Sequence, residues 1–367
     1  MKSRVFIFGL VAGIACLLSA CTAKKPSAPA RPAFSADSAY TYIARQMAFG
    51  PRVPNSSAHS ACAVWLIQQL RAYGAEVELQ KGEMPDYSGR NQQIYNIIGH
   101  FYTPETKNRP RVLLAAHYDT RPWCDEEEEY TDRYYNVPGA NDGASGVGVL
   151  LEVARQIGLR ISNSEQSERS NSESGLTAER SNSPQGGLST PVDIIFFDCE
   201  DMGTPQFYTG PERENTWCLG SQLWATNYAS LSGGAGLSAE RSNSETVFQA
   251  KPVYTFGIVL DMVGAPDAVF PMELYSSQYA DNYQQQIWRA AAQLGYGAIF
   301  SSQQAFPIVD DHYYVNVLAG IPCVDIIHYD MRNATGFPHW WHTRNDDMDN
   351  ISKATLQAVG EVVMSQL

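Results

Sequence analysis

Short apolar runs alternate with helical patterns along most of this chain, and that alternation limits the folds open to it. Residues 111–116 (RVLLAA), 192–197 (VDIIFF), 254–261 (YTFGIVLD) and 323–328 (CVDIIH) are rich in β-branched and aromatic residues. Runs this short and this continuous suit strands buried on both faces. Patterning predicts strands at 77–79, 94–101, 111–116, 192–198, 254–261 and 323–328. It predicts helices at 35–50, 56–73, 143–157, 221–229, 280–294, 311–319 and 352–366, with Ser35 and Ser56 or Ser57 as caps. The order implies an α/β fold: a mostly parallel, mixed central sheet flanked by helices on both faces.

A chain of 367 residues with 44% hydrophobic content can bury one large α/β core. Its net charge of −13 argues against nucleic acid, which asks for a basic face. The same acidity is compatible with a metal held by carboxylates.

Lys2 and Arg4 precede an apolar stretch, Val5 to Leu18, too short to span a bilayer comfortably. Leu18-Ser19-Ala20-Cys21 follows, and it resembles a bacterial lipobox. That resemblance implies a signal peptide at 1–20, lipidation of Cys21, and a protein lipid-anchored in the bacterial cell envelope, on the periplasmic side. Residues 21–34 then form a Pro/Ala linker to a single domain at 35–367. Two polar stretches, 161–187 and 231–246, share near-identical cores, GLTAERSNS and GLSAERSNS. They read as flexible surface inserts, because their composition supports no core. With Cys16 removed and Cys21 lipidated, Cys62, Cys124, Cys199, Cys218 and Cys323 remain. That odd number leaves at least one thiol unpaired, and the lack of any CxxC pair argues against a cysteine zinc site.

The ends of the apolar runs carry the chemistry. His117-Tyr118-Asp119 closes one strand, Asp198-Cys199-Glu200-Asp201 another and Asp261 a third. Asn141-Asp142-Gly143 and Asp310-Asp311-His312 open helices, and Trp341-His342-Thr343 lies in the last loop. Singly, each has a plain reading: a satisfied core histidine, a helix cap, a solvated strand end. Jointly, in a parallel sheet, they gather on one edge, where carboxylates and imidazoles can hold a metal.

The ordered set GPRVPNS (50–56), HYD, NDGASG, the acidic pair, LDMVG, DDH and WHT resembles the zinc aminopeptidase superfamily. Within it, Asp310-Asp311-His312, Trp341 beside His342, and Leu260 to Pro266 resemble the glutaminyl-peptide cyclotransferases, or glutaminyl cyclases. The resemblance runs from about residue 40 to the C-terminus, the inserts apart. It implies a zinc aminopeptidase-like fold and an enzyme that turns N-terminal glutamine of peptides or proteins into pyroglutamate, releasing ammonia.

Carried over by residue, the resemblance implies one Zn2+ on Asp142, Asp201 and His342, where animal cyclases usually have Glu in place of Asp201. It makes Glu200 the general acid/base, Asp261 and Asp310 its hydrogen-bonded acid network, and Trp341 and His117 part of the substrate pocket. Phe207, Tyr208 and Trp217 are candidates for a second aromatic wall, and Asp198 is assigned a structural part. Ala116 stands where animal members have a disulfide cysteine. A monomer is expected, with no partner beyond the substrate and the membrane. The competing readings are an aminopeptidase with two metals, the second on His117 and Asp261, and a binding protein that has lost its metal.

Overall fold

The computed structural model describes residues 31–174, 188–211, 213–231, 251–333 and 335–367. The signal segment, Cys21, most of the linker, residues 175–187 of the first insert and nearly all of the second lie outside the described residues. Arg31–Leu367 form one compact unit. Among the described residues, no helix is long and apolar enough to cross a membrane.

The strands are β1 (Glu76–Pro85), β2 (Asn91–Phe101), β3 (Arg111–His117), β4 (Val192–Phe197), β5 (Tyr254–Asp261), β6 (Phe270–Met272), β7 (Phe300–Gln304) and β8 (Cys323–Ile327). The central sheet runs in the order β1-β2-β4-β3-β5-β8, and β6 and β7 pair separately. β4, β3, β5 and β8 pair in parallel. The expectation of a mostly parallel sheet holds only for that half, because β1–β2 and β2–β4 are antiparallel. For β1–β2 the reason is local. Asp86 accepts from the N–H groups of Ser88 and Arg90, and Gly89 takes φ 83°, so the chain reverses within a tight turn. A turn that short joins only antiparallel strands.

The helices are α1 (Ala36–Met47), α2 (Ser57–Ala72), α3 (Ala144–Ser174), α4 (Leu219–Ser230), α5 (Leu274–Gln293), α6 (Asp311–Val317) and α7 (Lys353–Met364). Ser35 and Ser56 cap α1 and α2, accepting from Ser38 N and His59 N. Period-two alternation on β4 shows why both faces of the sheet are covered. Val192, Ile194 and Phe196 pack into one cluster with α1, α3 and α7, and Ile195 and Phe197 into another with Trp224 and Val315 of α4 and α6.

Two helices depart from expectation. α3 continues past 157 to Ser174 and so takes in 161–174 of the supposed flexible insert. Adding residues to an existing helix is far easier than starting one, so a helix begun at Ala144 can run on into polar sequence. α5 begins at Leu274 and bends at Ala280, where the apolar periodicity suggested its start. Its true start is set by the Glu273 carboxylate, which accepts from Tyr275 N and Ser276 N.

Gly146, in the first turn of α3, sets the depth of the site. A Cβ there would lie 2.3 Å from Leu260 O and 2.9 Å from Ala116 Cβ, so the missing side chain lets α3 rest on β3 and β5. Gly146→Ala gains at most about 1 kcal/mol of helix propensity and meets an overpacking cost of about 1–3 kcal/mol against backbone that cannot yield. Overpacking wins. A thermal melt should show Tm lowered by about 2 °C, and an unchanged or raised Tm would show that the approach is not tight.

Candidate active site

The parallel half of the sheet brings the expected residues to one edge. His117 and Asp261 end β3 and β5, Glu200 and Asp201 follow β4, and Asp142 precedes α3. Asp310 caps α6. Trp341 and His342 come from the loop after β8. A cavity of about 340 Å³ opens among Asp142, Glu200, Asp201, Asp261, Asp310 and His342, walled by Trp217 and Trp341.

Asp142 lies at the centre. Its Oδ2 is 3.5 Å from His342 Nε2, which is 3.3 Å from Asp201 Oδ1. Its Oδ1 is 3.1 Å from His117 Nε2, which is 3.2 Å from Asp261 Oδ1. Each trio offers donor atoms all within 4.8 Å of one another. Ligands about 2.1 Å from a tetrahedral zinc lie roughly 3.4 Å apart, so the Asp142, Asp201 and His342 spacing suits a shared zinc. Asp201 Oδ2, buried and without a hydrogen-bond partner, supplies a further free donor. The residues therefore fit the metal.

Side chains behind this trio orient it. His342 Nδ1 lies 3.5 Å from Asp125 Oδ1. Arg121 grips Asp125 through Nε and Nη2, at 2.7 and 2.6 Å, and its Nη1 donates to Asp201 Oδ1 at 3.2 Å. A carboxylate behind a ligating histidine fixes which nitrogen faces the metal. Backbone N–H groups are held likewise. Asp119 accepts from Glu200 N and Asp201 N at 3.1 and 3.2 Å, and Asp346 from Asn141 N and Asp142 N at 2.8 and 3.0 Å.

Burial and like charge set the electrostatics. Burial pushes the Glu200 carboxyl well up, and Asp201, Asp310 and Asp311 add to this against the opposing pull of His117. Burial also raises Asp261 to about 7, despite its hydrogen bond with His117. Burial disfavours a charged His342, yet the Asp201 carboxylate outweighs it and holds the imidazole up at about 10. This cluster draws cations.

Aromatic and structural assignments also resolve. Trp217, not Phe207 or Tyr208, lines the cavity. Trp217 and Trp341 both stack on His342, with centroids 6.2 and 3.6 Å away. Phe207 packs on Trp123 and Tyr134, and Tyr208 on Tyr87. Asp198 serves the scaffold, with His59 Nε2 2.7 Å from one oxygen and Tyr95 N donating to the other at 2.8 Å. His312 turns away from the cavity toward Glu273, at 3.0 Å. Cys62, Cys124, Cys199, Cys218 and Cys323 are all buried free thiols. Cys199, Cys218, Met262 and His342 adopt left-handed φ values of 50–56°. Non-glycine residues pay for that conformation, and such strain gathers at functional sites.

A metal that binds the folded chain alone must stabilise it. At about 100 times its Kd the gain is about 2.7 kcal/mol, or roughly 4 °C for a chain of this size. Chelation should lower Tm by that order, added Zn2+ should restore it, and Asp201→Asn should remove most of the shift. A melt indifferent to chelator would refute a metal at these residues.

Comparison with known proteins fits this geometry. The Tannerella forsythia glutaminyl cyclase structure is 41% identical to this chain, covers 91% of it and 98% of its own chain, and superposes with a TM-score of 0.75. A Zn-dependent exopeptidase from Parabacteroides distasonis is 39% identical over 92% of this chain and 99% of its own, with a TM-score of 0.74. The glutaminyl-peptide cyclotransferase of Bothrops jararaca is 23% identical over 260 residues, 69% of this chain. The match spans only 60% of that snake protein's length. The model of Peptidase family M28 matches residues 96–367. With three quarters of its length matched and its acids and histidines gathered on one sheet edge, the chain belongs to Peptidase family M28.

Proposed function

We propose that this chain is a zinc-dependent glutaminyl-peptide cyclotransferase acting on peptides or proteins with N-terminal glutamine. The observation that carries this is the walled cavity. Trp217 and Trp341 enclose Glu200 and the Asp142, Asp201 and His342 trio in about 340 Å³, room for one terminal residue rather than a length of peptide.

One zinc on Asp142, Asp201 and His342 would supply Lewis-acid polarisation of the glutamine side-chain carbonyl. The indole walls press the side chain back toward its own α-amine and keep water out. Attack is then intramolecular, and holding the two groups together supplies much of the rate. Glu200 takes a proton from the attacking amine as the new C–N bond forms. It returns that proton to the departing amide nitrogen, which leaves as ammonia. A carboxyl raised by burial and by neighbouring acids suits a group that must both accept and give a proton near neutral pH. Asp310 beside it helps keep its carboxyl raised, Asp261 lines the same cavity, and His117 is occupied by Asp142 and Asp261.

A second reading rests on the same His117. With Asp142 and Asp261 it forms a complete trio that could take another metal, as a two-metal aminopeptidase requires. Glu200 would then activate water.

The two readings part on product and metal count. Ammonia release from a glutaminyl dipeptide, with about one zinc per chain and no cleavage of leucyl-nitroanilide, is expected. Peptide cleavage with two metals would overturn the cyclase reading. Glu200→Gln should keep zinc and lose about 10²–10⁴ in kcat. Near-full activity would remove Glu200 from proton transfer.

The envelope location belongs to this reading too, and so does a monomeric state. Lys2, Arg4, the apolar stretch and Cys21 support a lipid anchor. Metabolic labelling with a fatty acid should mark the protein and fail for Cys21→Ser. Label retained in that variant would exclude Cys21 as the anchor.

A further inference from the structure

We propose that Cys218 is a positioning residue whose thiol aims the Glu200 carboxylate, an inference that rests on Glu200 carrying the proton. Cys218 Sγ lies 3.1 Å from Glu200 Oε1 and donates to it. Among the described residues no other side chain donates to that carboxylate. The backbone repeats the contact. Cys218 N donates to Glu200 O at 2.7 Å and Leu219 N to Cys199 O at 3.0 Å, so residues 218–219 clamp the turn that carries the acid.

Cys218 holds this place in a strained backbone, with φ 56° and ψ 38°. Glycine would relieve that strain but would carry no thiol, so the side chain itself has a use there. A thiol suits the need. Burial, with the Glu200 charge beside it, pushes its pKa well up, so it stays a neutral donor. A cation at this position would pull the carboxylate pKa down and weaken it as a base. A weak neutral donor fixes its direction and leaves most of its basicity. Sγ also lies with oxygens of Glu200 and Asp310 in one group within 4.8 Å, so it fills the space between two acids that repel each other.

Infrared spectroscopy tests the contact directly, because the S–H stretch falls in a clear spectral window. The difference between wild type and Cys218→Ala isolates the Cys218 band. It should lie below the free-thiol position, and move toward it in Glu200→Ala. Kinetics with a glutaminyl dipeptide should show kcat for Cys218→Ala lowered about three- to tenfold, the range of one neutral hydrogen bond. KM and zinc content should hold, and Cys218→Ser should recover most of the loss because its hydroxyl also donates. A band at the free-thiol position, an unchanged kcat in Cys218→Ala, or zinc lost from that variant would each overturn the assignment. The spectrum reads the hydrogen bond whether or not the protein cyclises glutamine, so failure of the two proposals can be told apart.

Discussion

The burial of many carboxylates in one small volume constrains everything around it. Asp119, Asp142, Asp201, Asp310, Asp311, Asp325 and Asp346 are all buried within or beside the site. A charge taken out of water is tolerated only if it is paired, hydrogen-bonded, protonated or bound to a metal. The structure uses each remedy in a different place. Arg121 pairs with Asp125 and Asp201. Asp119 and Asp346 accept backbone N–H groups, and those bonds fix the turns carrying Glu200, Asp201 and Asp142. Burial raises Asp261, Asp310 and Asp325 toward their protonated forms. Among Asp142, Asp201 and His342, Asp201 Oδ2 keeps no hydrogen-bond partner, and a divalent cation there would satisfy it.

The same arrangement explains how one scaffold stands close to two chemistries. Asp142 presents one oxygen to each histidine, so the trio containing His342 and the trio containing His117 share a member. If the His117 trio holds protons, its members bind one another and the site beside Glu200 is left to attack within the substrate. If it holds a metal, the same atoms favour attack by water. The choice depends on competition between a proton and a cation for Asp261 and His117, and burial of Asp261 favours the proton.

How much of this is legible in the sequence follows from what each signal depends on. Strand ends and helix starts bearing acid or histidine are local, so together they mark His117, Asp142, Glu200, Asp201, Asp261 and Asp310, while His342, in a loop, is marked by the WHT motif of the resemblance. Their orienting partners carry no such mark. Arg121 meets Asp201 across 80 residues and Asp346 meets Asp142 across 204, and nothing near either signals the pairing. Trp217 cannot be chosen over Phe207 and Tyr208 by pattern, because all lie in one irregular loop, where no periodicity says which side chain faces the cavity. The β6–β7 pair is too short to show a pattern. The antiparallel edge is hidden for another reason: a run of apolar residues marks a strand but not its direction.

Asp201 shows how the local and distant parts depend on each other. An aspartate carboxylate stands one methylene closer to its backbone than a glutamate's, so where it lies depends closely on how that backbone is held. Asp119 accepts from the N–H groups of Glu200 and Asp201, and Cys199 turns the chain through a left-handed φ of 54°. Arg121 then fixes the shortened side chain, leaving its Oδ1 3.3 Å from His342 Nε2. The left-handed turn at Cys199 and the Asp119 hydrogen bonds together hold the segment that carries Asp201. The position of Asp201 thus depends on backbone hydrogen bonds as much as on the side chains around it.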